Sequence, residues 1–75
     1  MMGTEFKINH WYRGVKYPKY IIKILASHKS PHGKRLFWLE WYNLKNMILI
    51  DRNYFQLKEE NWREVPEHLI TFEMI

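Results

Sequence analysis

Hydrophobic positions along this chain fall into short runs separated by polar, turn-forming stretches. Residues 6–12 alternate and predict a first strand. Tyr17-Pro18 marks an extended turn, because a residue before proline is pushed out of the helical region. Residues 20–26 (YIIKILA) are β-branched and mostly apolar and predict a second strand. Residues 27–34 (SHKSPHGK) form a polar loop with Pro31 and Gly33 in turn positions. Residues 36–42 (LFWLEWY) carry the strongest strand signal and are bounded by the turn Asn43-Leu44-Lys45-Asn46. Residues 47–50 predict a fourth strand, and 55–57 a short last one. Residues 58–64 (KEENWRE) favour a helical turn around Trp62, which would cap one end of the fold. The stretch 66–75 has two readings. Leu69, Ile70 and Phe72 suit a short helix, and Ile70, Phe72 and Met74 an alternating strand. Several short strands with frequent turns predict a mainly β chain: a small five-stranded SH3-like barrel with a short C-terminal helix.

Length and charge narrow the picture. Seventy-five residues make one domain, and a chain this small buries only about 60% of the surface exposed when unfolded. Most of its thirteen aromatic residues are therefore needed in the core; Trp11, Trp38 and Trp41 are assigned to packing. There is no cysteine, which excludes disulfides and thiolate metal sites. The longest apolar run, Met47-Ile48-Leu49-Ile50, is far shorter than the ~20 residues of a membrane-spanning helix, and no membrane partner is expected. Residues 7–75 form the domain. Met1 to Phe6 read either as a cloning remnant, since Gly-Thr and Glu-Phe are encoded by common cloning sites, or as a disordered start.

The net charge of +4 is unevenly spread. Residues 1–50 hold nine basic and two acidic side chains, and residues 51–75 hold three basic and six acidic ones. A basic first two-thirds suits a polyanion. Arg13, Lys16, Lys19, Lys23, Lys34 and Arg35 are the candidate contacts to DNA phosphates, which position a protein without reading sequence. The block Tyr17-Pro18-Lys19-Tyr20 sets two rings among lysines, and ring faces attract quaternary ammonium groups.

Signals for catalysis are poor. His28 and His32 lie four apart, a metal-binding spacing only on a helix, which Pro31 disfavours, and no third ligand is near. The serines beside His28 lack an orienting acid and a nucleophile elbow. There is no glycine-rich phosphate loop. No enzyme activity, metal or cofactor is expected.

From Trp11 to Leu57 the chain resembles a PWWP domain, a branch of the Tudor, chromo and PWWP group of barrels. The resemblance rests on Trp11-Tyr12-Arg13-Gly14-Val15-Lys16-Tyr17-Pro18-Lys19-Tyr20-Ile21 and on Phe37-Trp38-Leu39-Glu40-Trp41-Tyr42-Asn43, with Leu49-Ile50 and Phe55 following in ungapped register. Lys19, Ile21 and Asn43 depart from the family's tryptophan, proline and glycine. Asn43 is the mildest change, since asparagine tolerates a left-handed turn. The resemblance implies a monomeric nuclear chromatin reader that binds a methylated lysine of a histone H3 tail and contacts nucleosomal DNA. It places the methyl-lysine cage at Tyr17, Tyr20 and Tyr42, with affinity rising from unmodified to trimethylated lysine. A chromodomain is the rival within the group, on Tyr20, Trp41 and Asn61-Trp62-Arg63-Glu64. The alternative of another class is a small viral or bacterial SH3-like module that grips a protein or nucleic acid without methyl-lysine.

Overall fold

The structure is a computed structural model and describes residues 6–70. Five strands, β1 (Trp11–Gly14), β2 (Tyr20–Lys29), β3 (Arg35–Asn43), β4 (Leu49–Phe55) and β5 (Trp62–Val65), form one antiparallel sheet in the order β4-β3-β2-β1-β5. The expected mainly β, five-stranded SH3-like architecture is present. Its helical content within the described residues is two short 3₁₀ turns, Glu59–Asn61 and Glu67–Leu69.

Alternation along β1 and β2 feeds two apolar clusters. Tyr12, Ile22, Ile24, Phe37, Leu39, Leu57 and Trp62 are buried together, with Phe6 and Trp41 packed against them. Their immediate neighbours Trp11 and Ile21 join Met47 in a second cluster, with Tyr42, Leu44, Val65 and Ile70 around it. Adjacent residues of a strand point to opposite faces, so each doublet (Trp11-Tyr12 and Ile21-Ile22) serves both. The register between β2 and β3 shifts between Ile24 and Ala26. Such a bulge increases local twist and helps one long strand curl around a small core.

Several boundaries differ from expectation for identifiable reasons. The first strand begins at Trp11 and not at position 6, because Asn9 adopts a left-handed φ of 68°. Phe6 nevertheless packs into the domain, 5.0 Å from the Tyr12 ring and 5.5 Å from that of Phe37. Ser27, His28 and Lys29 belong to β2, leaving a tighter hairpin in which Ser30 N–H donates to the Lys34 carbonyl at 2.7 Å. The fourth and fifth expected strands merge into β4, whose polar centre Asp51-Arg52-Asn53 hides it from hydropathy because an edge strand is largely solvated. The helical turn covers only Glu59–Asn61, and Trp62 opens β5. Paired with Gly14 and 1% exposed, Trp62 is a core residue and not a cap. Asn43 stays in β3, and Met47 takes the left-handed position with φ 57°. The Asn43 side chain instead accepts the Lys45 N–H at 2.8 Å. The choice between helix and strand for 66–75 resolves only as far as the 3₁₀ turn; residues 71–75, like 1–5, lie outside the described residues.

Candidate aromatic binding site

The β1–β2 connection and the β3–β4 edge of the sheet enclose one pocket of about 400 Å³, lined by Tyr17, Tyr20, Trp41, Ile50, Asp51, Asn53 and Phe55. Its construction begins with Pro18. The Tyr20 N–H donates to the Tyr17 carbonyl at 3.0 Å, closing a four-residue turn with proline second. Proline's fixed φ suits that position. Both ends of the turn therefore carry a tyrosine on the same short loop. Two more bonds hold the loop, from Val15 N–H to the Asn61 carbonyl at 2.7 Å and from Leu44 N–H to the Lys19 carbonyl at 2.9 Å.

Trp41 is the central ring. It lies on the core-facing side of β3 with Phe37 and Leu39, and it meets Tyr20 edge-on at 6.0 Å, Phe55 at 5.3 Å and Trp62 at 5.6 Å. Tyr17 lies 6.2 Å from Trp62 and is 47% exposed, so its ring forms the solvent-side wall. The Trp41 indole N–H donates to Asn53 Oδ1 at 2.8 Å. An indole nitrogen can only donate, so the Asn53 amide is oriented and its nitrogen faces Asp51, donating to Oδ2 at 3.2 Å. The second carboxylate oxygen accepts the Arg52 backbone N–H at 2.8 Å. One ring and one carboxylate are thus locked to a single asparagine. Ile50 reaches the rim through a register shift, since Trp41 pairs with Asp51 while Tyr42 pairs with Leu49. Bulges re-aim side chains in this way.

Of the three expected cage tyrosines, the structure brings Tyr17 and Tyr20 together and places Tyr42 elsewhere. Tyr42 pairs with Ile21 and so faces the other side of the sheet, 5.2 Å from the Trp11 ring. There its hydroxyl donates to Glu40 at 2.8 Å. Burial, the Glu40 hydrogen bond and the Glu40 charge push the Tyr42 hydroxyl up to about 12, with Arg52 opposing. At Glu40, burial is the largest influence and raises the carboxyl. Hydrogen bonds from Tyr42 and Arg52, with the charges of Arg52 and Lys23, outweigh it and leave the group below its ordinary value. Trp41 lines the pocket between Tyr20 and Phe55 and also packs against the buried cluster, the packing role expected of it. Phe55, Asp51 and Asn53 were not expected at a site. The legible signal was parity: Trp41 shares a strand face with Phe37 and Leu39, whereas Tyr42 does not.

The six candidate phosphate contacts do not form one patch. Lys16 and Lys19 are exposed on the loop that carries Tyr17 and Tyr20. Arg13 borders a second cleft, of about 320 Å³, on the other face with Ile21, Leu44, Met47, Val65, Leu69 and Ile70. Lys23 lies 5.6 Å over the Trp11 ring and also acts on Glu40. Lys34 and Arg35 sit at the far hairpin, separated from the loop by the ten residues of β2, about 30 Å of extended chain. Among the described residues there is no group of three or more His, Asp or Glu side chains placed to hold a metal ion.

No family model matches the sequence, and comparisons with curated proteins and with solved structures give no match.

Proposed function

We propose that this protein is a non-catalytic binding module that captures a methylated lysine side chain of a peptide between Tyr17, Tyr20, Trp41 and Phe55. The observation that carries this reading is the aromatic pocket with one carboxylate in its wall. Ring faces attract an alkylammonium by about 0.5–2 kcal/mol each, more as water is excluded. A pocket of about 400 Å³ falls in the ordinary size range for ligand sites, roughly 300–1,000 Å³. Free lysine suits it less, because a compact ammonium keeps its hydration, whereas methyl groups spread the charge over apolar surface that the rings cover.

Lys16 and Lys19 support the second half of the expectation, contact with DNA beside the peptide. They alternate with the cage tyrosines on one exposed loop, so a phosphate backbone at those lysines would lie next to the bound side chain. In this reading the partner is a histone H3 tail on nucleosomal DNA in the nucleus; that partner and location rest on the resemblance to PWWP domains. The test is a titration of H3-tail peptides, unmodified and methylated. Methylated peptides bind more tightly, and Tyr17→Ala weakens them by about 2- to 30-fold, the worth of one ring, while leaving circular dichroism unchanged. Equal affinity for methylated and unmethylated peptides sinks the reading.

A second reading has its own observation. Strand β4 is a sheet edge of seven residues on which Leu49, Ile50, Tyr54 and Phe55 are 39–58% exposed. An exposed apolar edge is a template for strand addition, and a protein partner would then bind without methyl-lysine. Binding that survives Tyr17→Ala and ignores methylation selects this alternative.

A further inference from the structure

We infer that Asp51 tunes the pocket to dimethyl-lysine in preference to trimethyl-lysine, an inference that rests on the cation-binding reading of this site and reverses the order expected of a purely aromatic cage. The carboxylate lines the pocket and is held there from two directions, by Asn53 Nδ2 on one oxygen and the Arg52 N–H on the other. An ionised carboxylate offers about four acceptor positions, so two remain for a ligand. Its charge also remains. The neighbouring Arg52 guanidinium is engaged on the opposite face, 2.9 Å from Glu40, and Asp51 forms no salt bridge among the described residues.

Ligand chemistry then decides the order. Trimethyl-lysine fills the rings but has no N–H, so it covers the carboxylate, displaces its water and returns no hydrogen bond. Dimethyl-lysine presents two methyl groups to the rings and one N–H, which makes a charge-assisted bond to Asp51, a class about twice as strong as a neutral one. Monomethyl and unmodified lysine carry more N–H groups than one carboxylate satisfies and lose more hydration on entry. Asn53 is the positioning residue. Its bond to Trp41 sets where the carboxylate stands relative to the central ring.

The experiment uses N-acetyl-lysine amides carrying zero to three methyl groups, with binding followed by NMR at the Trp41 indole N–H. These probes remove any dependence on peptide sequence. Dimethyl-lysine binds tightest, ahead of trimethyl-lysine by about five- to tenfold. Asp51→Asn keeps a polar group of the same shape and erases or inverts that ratio. A wild-type protein that prefers trimethyl-lysine, or an unchanged ratio in Asp51→Asn, overturns the role of Asp51 and leaves the cage intact. A wild-type protein that takes no methylated amide better than the unmodified one overturns both the cage and this refinement.

Discussion

A methyl group added at Gly14 would stand 2.6 Å from the carbonyl oxygen of Tyr17. That distance is shorter than real contacts allow, and the atom it meets is backbone, so the loop must move. The same carbonyl closes the turn that sets Tyr17 and Tyr20 at the pocket. Gly14 therefore shapes the site from a buried position behind it.

Gly14→Ala is expected to destabilise the fold by about 1–3 kcal/mol, the usual cost of overpacking, and also to weaken methylated-peptide binding. Urea unfolding and peptide titration check the two effects separately. A variant with normal stability and full affinity refutes the proposed link between Gly14 and the Tyr17 turn.

Asn53→Ala leaves the half-buried Trp41 indole N–H without its acceptor. A lost partner of this kind costs about 1–3 kcal/mol. The larger consequence is for binding, because the carboxylate of Asp51 loses its registration with the ring. Affinity for methylated peptide should fall more than it does in Tyr54→Ala, a surface ring outside the pocket. If the two variants bind equally well, the Asn53 bridge has no functional weight.

The pair Tyr42 and Glu40 predicts two pH limits of stability. Tyr42 holds its proton more firmly folded than unfolded, so its contribution is complete below the ordinary tyrosine range and declines as pH rises from about 10 towards its folded value of about 12. Glu40, lowered in the fold, contributes above the ordinary carboxyl range and loses that contribution as pH falls through its folded value. Tyr42→Phe should flatten the alkaline decline relative to wild type in urea melts across pH 9–12. It should also leave methylated-peptide affinity unchanged, since Tyr42 faces away from the pocket. A loss of binding in Tyr42→Phe would return this residue to the site.

Separation along β2 makes the basic residues distinguishable. Replacing Lys16 and Lys19 by Glu should abolish any duplex DNA binding that accompanies peptide capture, whereas Lys34→Glu with Arg35→Glu should weaken it far less. For wild type, log affinity should fall with log salt by about 0.9 per phosphate neutralised. Salt-independent binding, or dominance of the hairpin pair, contradicts a DNA path beside the cage.

What the chain determines locally is visible in its order of residues. Runs such as YIIKILA and LFWLEWY make strands because β-branched and aromatic side chains fit a pleated, half-buried surface. The Tyr17-Pro18-Lys19-Tyr20 turn follows from proline's fixed φ. The placement of Tyr17 and Tyr20 at its two ends was legible for that reason, as were the exposed Lys16 and Lys19 beside them. Edge strand β4 was not, because a strand with one unpaired side and solvent over most of its length needs no apolar alternation. Strand parity separates Trp41 from Tyr42, and only the tertiary structure decided which of those two faces forms the third wall of the pocket. Trp41 and Tyr42 are neighbours of similar chemistry, and the pairing of Ile22 with Trp41 and Ile21 with Tyr42 sends them to opposite faces. Asp51 and Asn53, ten and twelve positions downstream of Trp41, come to the site on an edge strand, brought there by β3–β4 pairing. Sequence proximity sets a turn, and cross-strand register sets which side chains share a cavity.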